Sequence, residues 1–178
     1  DKISGRFRQK GEYVKVGLHI APGPEYIEQM IDAALLAYSS DHDTYFVEKI
    51  SKFHLEFENI HPFIDGNGRI GRITVNFLLM RFGFVPIIIR DKEKKYYYQA
   101  LRDYDDKKDP RGMDKVIAYA ITESLYKRIS YLKGERIILL SDYIKTSGKS
   151  APAVFNAARR QTIPAFREKN VWKIGVNN

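Results

Sequence analysis

The sequence contains no cysteine, so a disulfide framework and cysteine-bound zinc are both excluded. It also has no run of about 18 apolar residues, which a membrane-spanning helix would need. No stretch shows the pattern of a signal peptide. These absences indicate a cytoplasmic protein that does not bind a membrane. Because the chain opens on Asp1 instead of methionine, we expect it to be a piece of a longer protein.

The composition is that of a globular protein, with 44% apolar and 13% aromatic residues among 178. The net charge of +8 is unevenly placed. Nine basic and three acidic residues follow residue 132, so this segment carries +6 of that charge. Together with the break at Lys133-Gly134, the charge predicts two domains, over 1–132 and 133–178. A basic tail of this kind favours nucleic acid or an acidic protein as a partner.

The first 132 residues are dominated by helical spacing of apolar residues. A short hairpin is expected near Tyr13–Ile20, and Pro24 is suited to the first turn of the helix that follows it. Thr44 is the predicted cap of the next helix. The apolar positions of that helix, 46, 50, 53, 57 and 60, lie on one face. We expect three further helices, from about Arg69 to Gly83, from Asp91 and from Met113, with VPIIIR extended between the first two.

The tail predicts a small winged helix-turn-helix. Two segments, ERIILLSDYIK and APAVFNAARRQ, are predicted as short helices, and TIPAFREKNVWKIGV as a strand pair seated by Trp172. The stretch NAARRQTIPAFREKNVWKIG resembles the winged-helix segments of excisionase-like DNA-binding proteins. Arg159 and Arg160 on the second helix are then candidates for contacts with DNA phosphates. The alternative is a wing that packs on the core or recognises a protein.

The stretch HPFIDGNGRIGR, residues 61–72, combines a base, an acid, bare backbone and two fixed positive charges. We expect Pro62 to hold His61 in an extended conformation, off the preceding helix. An imidazole there is a base near neutral pH, and Asp65 is an oxygen ligand suited to Mg²⁺. Gly66-Asn67-Gly68 presents backbone N–H groups at a helix N-terminus, which favours an anion.

Arg69 and Arg72 lie three residues apart, so both fall on nearly one face of the helix that the loop opens. Arginine holds phosphate through a bidentate fork. The loop therefore suits a polyphosphate and its magnesium ion beside a base that deprotonates an attacking hydroxyl. That chemistry is phosphoryl or nucleotidyl transfer.

HPFIDGNGRIGR resembles the signature of the Fic family, HPFx(D/E)GN(G/K)RxxR, at every fixed position. Two further segments are similar to the family: VKVGLHIAPGP to its hairpin flap, and IIIRDKEKKYYYQAL to the stretch after the motif helix. The resemblance covers about residues 4–132. It implies a mainly α fold, with a Fic-type helical core and a small β-hairpin flap ahead of the winged-helix-like module.

The resemblance also implies that the protein transfers AMP from ATP to a Ser, Thr or Tyr hydroxyl of a target protein. On it, His61 is the catalytic base and Asp65 holds Mg²⁺. The backbone of Gly66, Asn67 and Gly68 forms the anion hole, Arg69 and Arg72 hold the β- and γ-phosphates, and Phe63 anchors the loop in the core. The remaining implied site residues are Tyr97 and Tyr98 beside the adenine and Val14, Lys15, Val16 and Gly17 at the flap edge that pairs with the target.

Many relatives carry an inhibitory helix with the pattern (S/T)xxxE(G/N), and this chain does not match it. The nearest segment begins at Thr44 and has Lys49 at the last position. We therefore expect any inhibitory element to lie upstream of Asp1 or in a partner chain, and we expect an active fragment. A homodimer is one further expectation.

Two other functions use part of these features. A His-Asn-His metal nuclease also needs a histidine and an asparagine, but it requires a ββα cradle, whereas helical patterns flank this loop. A DNA-binding regulator would use the tail, with the core acting on another phosphorylated donor, and GTP and UTP stay open as donors. Labelled ATP separates these functions, because only the Fic interpretation predicts protein-bound AMP.

Overall fold

The structure is a computed structural model that describes residues 5–17, 19–89 and 94–177. Over these residues the chain is mainly helical, with two small antiparallel sheets. It forms two compact units. One contains the chain up to Gly83 together with Ile89–Ile117, and the other contains Phe84–Ile88 and Ala118–Asn178. The predicted mainly α fold class is confirmed.

The first unit opens with the predicted hairpin. Strands β1 (Lys15–Val16) and β2 (His19–Ile20) are antiparallel, with Lys15 opposite Ile20. Gly17 sits in the turn with a φ of 63°, a left-handed conformation that glycine adopts without steric cost. Leu18 lies outside the described residues.

Two helices follow the hairpin. A short 3₁₀ turn, Pro24–Tyr26, leads into α1 (Ile27–Ser40), as the proline predicted. The next helix, α2, spans Phe46–Ile60, and here the predicted cap is wrong. Its N-cap is Tyr45, which makes no side-chain cap hydrogen bond. Thr44 lies one residue too early and donates its own N–H to Asp41 Oδ1 over 2.9 Å, so Asp41 organises this loop.

The second helix is the centre of the first unit. It packs against α1, against α3 (Asn67–Arg81) and against α4 (Lys94–Lys107). The predicted apolar positions are buried at Ile50, Phe53, Phe57 and Ile60, and Phe46 is half-buried. Residues 84–89 between α3 and α4 form neither helix nor strand, and residues 90–93 lie outside the described residues.

A long helix, α5 (Arg111–Leu132), leads into the second unit. The elements after it are β3 (Arg136–Leu139), α6 (Leu140–Ser147), α7 (Ala151–Arg159), β4 (Ala165–Glu168) and β5 (Val171–Val176). The sheet order is β3-β5-β4, and both pairings are antiparallel. The predicted strand pair is thus present. The prediction of helix over residues 136–139 is wrong, because Ile137 and Ile138 pair with β5 instead.

The second unit has a small core of its own, formed by Leu140, Val154, Ala158, Ala165 and Ile174. Half-buried Trp172 packs against this core, and the Arg167 guanidinium lies 4.5 Å from the centre of its ring. This apolar centre, together with the strand pairing, places the two short helices and the sheet of the tail in one compact body.

The second unit begins inside α5, before the domain boundary predicted at 132/133. Glu123, in the C-terminal half of α5, forms a buried ion pair with Arg167 of β4. The same carboxylate accepts the Arg167 backbone N–H over 2.9 Å. These contacts make the end of α5 part of the second unit. Along the described residues, no helix is long and apolar enough to span a bilayer.

Candidate active site

His61 ends α2 in a left-handed conformation, with φ 51° and ψ 60°. The predicted extended conformation is therefore wrong. The Pro62 ring disfavours the right-handed helical conformation for His61, and the left-handed one lets its N–H keep the last helical hydrogen bond, to Phe57 O over 3.0 Å. This turn points the chain out of the helix and into the motif loop.

The imidazole of His61 is oriented by one contact with the backbone. Nδ1 lies 3.2 Å from the carbonyl oxygen of Glu58, which can only accept, so Nδ1 carries the proton. This assignment leaves Nε2 with a lone pair. Burial lowers the pKa of His61, and the nearby Arg8 and His19 side chains add to the lowering, against the Glu58 carbonyl, which raises it. The ring is therefore neutral at pH 7 and can accept a proton at Nε2.

Arg8 stabilises the backbone at the start of the motif loop. Nothing in the local sequence distinguishes this arginine from Arg6. Its side chain is 3% exposed. The guanidinium donates to four carbonyl oxygens, those of Glu12, Pro22, Ile60 and His61. Two of these close α2, where the helix dipole favours a cation. Arg8 thus fixes the backbone that carries the imidazole.

The motif loop is closed by the side chain of Asn67. Its Oδ1 accepts the Phe63 N–H over 2.9 Å, and its Nδ2 donates to the Phe63 carbonyl over 2.8 Å. The Phe63 ring lies against Phe7 and Phe57, as expected for an anchor. Because the Asn67 side chain is 2% exposed and fully engaged, any contact with an anion falls to its backbone N–H.

The helix α3 begins directly at the loop, with Gly66 at the N-cap in a left-handed conformation of φ 84°. The first turn of a helix leaves N–H groups without partners inside the helix. Asp65 and Arg69 stand beside this turn and are exposed, at 89% and 72% of their side chains. Asp65 Oδ2 accepts from Arg69 over 3.1 Å, and Oδ1 accepts the Gly66 N–H over 2.6 Å.

Arg72 lies over the backbone of Gly68. A Cβ at position 68 would be 3.1 Å from Arg72 Nη1, so the glycine leaves room for the guanidinium. Arg72 is half-buried. Burial raises the pKa of Glu58 and of Tyr97, and the positive charge of the nearby Arg72 acts against that rise. One side of this arginine therefore faces the helix N-terminus and the other faces a buried polar cluster.

That cluster joins α2 to α4 and was not predicted. Tyr97 OH lies 2.7 Å from His54 Nε2 and donates to Glu58 Oε1 over 3.2 Å. Burial lowers the pKa of His54 to about 4 and raises that of Glu58, so His54 is neutral. A signal was available, because His54 and Glu58 are spaced i, i+4 within the apolar face of α2. Tyr97 is only 2% exposed, and Tyr98 is exposed beside it.

Gly71 lets α3 approach α2 at this cluster. A Cβ there would lie 2.8 Å from both Glu58 Oε1 and His54 Cε1, closer than real atoms allow. The helix that carries Arg72 therefore rests directly on the polar cluster. This role was not visible in the motif, in which Gly71 occupies an unspecified position.

The hairpin is held beside the end of α2 by His19. Its Nδ1 lies 3.0 Å from Asp105 Oδ1, and its Nε2 lies 2.8 Å from the Asn59 carbonyl oxygen. The outer strand keeps Lys15, Val16 and Gly17 exposed and Val14 half-buried, and Val14 O accepts from Ala21 N over 3.1 Å. The predicted site residues of the motif loop thus lie around one helix N-terminus. Val14–Gly17 lie on the hairpin.

Comparison with known proteins finds a family match for the first part of the chain. Residues 1–79 match the model of the Fic/DOC family. A protein adenylyltransferase Fic of Drosophila melanogaster is 37% identical over 100 residues, which are 55% of this chain and 20% of that protein. The chain spans about a fifth of the length of the curated relatives that it matches.

Solved structures extend the likeness to three dimensions. A Fic domain containing signaling protein of Bacteroides thetaiotaomicron has a TM-score of 0.67 at 26% identity, covering 74% of this chain and 56% of that one. A fragment of Fic-1 of C. elegans has a TM-score of 0.63 at 26% identity, over 75% and 39%. A Fic family protein of Desulfovibrio desulfuricans, at 23% identity and a TM-score of 0.58, shares the fold over 98% of this chain and 63% of its own.

Proposed function

From the match of residues 1–79 to the Fic/DOC family, we propose that this chain is a protein adenylyltransferase, which moves AMP from ATP to a hydroxyl of a target protein. The observation that supports this most directly is the placement of His61. A neutral imidazole with an available Nε2 lies at the end of α2, next to a helix N-terminus that carries Asp65, Arg69 and Arg72. A base beside an anion site is what such a transfer requires.

In the proposed reaction, a Ser, Thr or Tyr hydroxyl of the target attacks the α-phosphorus of ATP. A new O–P bond forms, the bond between the α-phosphorus and the bridging oxygen breaks, and pyrophosphate leaves. His61 Nε2 accepts the hydroxyl proton. Since Nδ1–H is held by the Glu58 carbonyl, the ring cannot turn away from this task without losing that hydrogen bond.

The phosphates are assigned to the start of α3. The N–H groups of Asn67 and Gly68, the N–H of Gly66 once Asp65 Oδ1 releases it, and the helix dipole stabilise the negative charge that the transfer develops. Arg69 is exposed and within reach of Asp65, and Arg72 lies above Gly68, so both can fork a distal phosphate. The buried partners of Arg72 hold this arginine in place before the nucleotide arrives.

Asp65 is the residue that would hold Mg²⁺. Among the described residues, no three acidic, histidine or cysteine side chains gather into a metal site. A single exposed carboxylate still fits, because Mg²⁺ in nucleotide sites is bound by one or two carboxylates together with substrate phosphates and water. When bound, the ion would neutralise the charge on the phosphates. Asp65 would then exchange part of its contact with Arg69 for the ion.

The adenine is assigned to the region of Tyr97 and Tyr98. These two residues differ in exposure. Tyr97 is buried and its hydroxyl contacts His54 and Glu58, whereas Tyr98 is 47% exposed. We therefore assign the contact with the base to the Tyr98 ring, which packs edge-on against Tyr97. Tyr97 would support that ring from the core.

The target protein is assigned to the outer edge of the hairpin. In the two-stranded sheet, β1 pairs with β2 on one side, and an extended target segment would add a strand to the other side. His19 anchors this hairpin to the carbonyl oxygen of Asn59, which stands two residues before His61 in the chain. Arg8, Tyr13 and Glu25 line a recess of about 490 Å³ near the start of β1.

The proposal is tested by incubating the chain with Mg²⁺ and ATP labelled either at the α- or at the γ-phosphate. We expect protein-bound label from α-labelled ATP alone, on an added target or on the chain itself. His61→Ala should abolish the transfer and leave ATP binding nearly intact. Label from γ-labelled ATP would indicate phosphorylation instead, and label from GTP or UTP in the absence of an ATP signal would indicate a different donor. Either result would overturn the proposal.

A further inference from the structure

We propose that the second unit binds duplex DNA, with α7 as the element that faces the double helix. This function is separate from adenylyl transfer and does not rest on it. The first support is the order of elements, which is helix, strand, two helices and two strands, with the sheet order β3-β5-β4. That is the full order of a winged helix-turn-helix, in which the C-terminal half of α5 supplies the first helix.

The helix α7 has an apolar face that is buried and a polar, small-residue face that is exposed, as a helix that contacts DNA requires. Val154 and Ala158 are buried in the core of the second unit. The exposed residues of the helix and its end are Ala151, Pro152, Ala153, Asn156, Arg159 and Arg160. Small side chains let the helix backbone come close to a groove, and the amide and guanidinium groups can hydrogen-bond to base edges and phosphates.

The charge of the second unit is the next support. Eleven basic and four acidic residues fall within 118–178, so this segment carries +7 of the net charge of +8. Three of the acids are engaged in ion pairs: Glu123 with Arg167, Asp142 with Lys145, and Glu168 with Lys127 and Lys173. Among the described residues, no carboxylate pairs with Lys149, Arg159 or Arg160. The surface is therefore complementary to a polyanion.

The shape of the surface favours duplex DNA over other anionic partners. Among the described exposed residues of α7, none is large and apolar, whereas protein interfaces depend on aromatic or large apolar anchors. A single-stranded nucleic acid would need exposed aromatic rings to stack on, and α7 has none among these residues either. A helix of ordinary diameter fits the major groove of B-form DNA.

The turn between β4 and β5 offers a second contact. Lys169 and Asn170 form a two-residue turn with φ of 49° and 64°, the geometry of a type I′ hairpin. Both residues are exposed, so the lysine stands at the tip of the hairpin. A basic tip of this kind can bind a phosphate of the same duplex.

The test uses the full 178-residue chain and a fluorescein-labelled DNA duplex of mixed sequence, titrated by anisotropy at several salt concentrations. We expect binding whose affinity falls steeply with salt, because each neutralised phosphate releases counterions. Arg159→Ala with Arg160→Ala should weaken binding roughly tenfold or more and reduce the salt slope by about two. Lys169→Asn removes the charge but suits the left-handed turn, and it should reduce the slope by about one.

The matched control is Arg81→Ala with Arg102→Ala, which removes two exposed arginines from the first unit. It should bind DNA as the parent does. No anisotropy change at low salt would overturn the proposal and leave an acidic protein as the partner of this surface. Equal binding by the Arg159/Arg160 variant, or tighter binding of an RNA duplex or a single strand, would overturn it as well. Circular dichroism and the thermal unfolding midpoint of all of these variants serve as the measure of intact folding.

Discussion

Arg8 Nε lies 2.8 Å from the carbonyl oxygen of His61, and the same guanidinium donates to the carbonyl oxygen of Ile60 over 3.2 Å. A buried cation thus closes the C-terminus of α2 at the residue that carries the proposed base. Lysine has the charge but cannot donate in several fixed directions, so the two residues are not interchangeable here.

We predict that Arg8→Lys lowers kcat by about ten- to hundredfold, because a small displacement of a catalytic group is costly. Arg8→Met should also move the acidic limb of the pH–rate profile to higher pH, since the Arg8 charge helps to lower the pKa of His61. The measurement is transfer of labelled AMP across pH 5 to 9. Arg6→Lys, in the half-buried ion pair with Glu12, is the control. An unmoved acidic limb in Arg8→Met would contradict the assigned effect on His61.

Arg72 and Asp65 should affect different properties of nucleotide binding. Arg72→Ala should weaken ATP binding more than AMP binding, because the arginine is assigned to distal phosphates that AMP lacks. Asp65→Asn should raise the Mg²⁺ concentration that gives half-maximal transfer. Isothermal calorimetry with both nucleotides and a Mg²⁺ titration measure these effects, and Arg81→Ala at the far end of α3 is the control. Equal losses for ATP and AMP in Arg72→Ala would contradict its placement.

His54 should make stability depend on pH. Its folded-state pKa of about 4 lies below the value of about 6.5 for an unfolded histidine. As the pH falls, the imidazole is therefore protonated in the unfolded chain before it is protonated in the folded one. The contribution of His54 to the free energy of unfolding is therefore fully present above about pH 6.5. It decreases by about 2 to 3 kcal/mol as the pH falls toward 4.

Urea unfolding between pH 4 and 7.5 measures this loss. His54→Gln should be less stable at pH 7.5, because it disturbs the contact with Tyr97, but it should lack the histidine part of the pH dependence. His42→Gln replaces an exposed histidine and should keep that dependence. If the slope of stability against pH is the same in His54→Gln and the parent, His54 is not the group that causes it.

The buried ion pair of Glu123 and Arg167 predicts a large effect on stability. Glu123→Gln leaves the Arg167 charge buried and should cost about 3 to 5 kcal/mol. The double variant Glu123→Leu with Arg167→Met replaces the pair by apolar side chains and should recover most of that loss. Asp142→Asn removes one partner of an exposed pair with Lys145 and should cost less than about 1 kcal/mol. Denaturant unfolding compares them, and a small effect of Glu123→Gln would show that the pair contributes little.

Several features could be read from local sequence because their causes are local. The apolar face of α2 follows from helical spacing, and Pro24 fits the short turn that leads into α1. The turn at Gly66 and the start of a helix directly after it, at Asn67, depend on neighbouring residues only. These local causes are sufficient to predict that the motif loop is an anion site with a base beside it. The target protein, the homodimer and the cytoplasmic location stay predictions.

Other features depend on residues far apart in the chain, which local patterns cannot pair. Arg8 meets His61 across 53 positions, and His54 meets Tyr97 across 43. In isolation, residues 136–139 have the apolar character of a short helix, but pairing with β5 makes them a strand. The end of α5 likewise joins the second unit through contacts that are distant in the chain, such as that of Glu123 with Arg167, 44 positions away. Spacing along the chain determines which face of an element is apolar, whereas packing between elements determines which polar groups lie together around the proposed base.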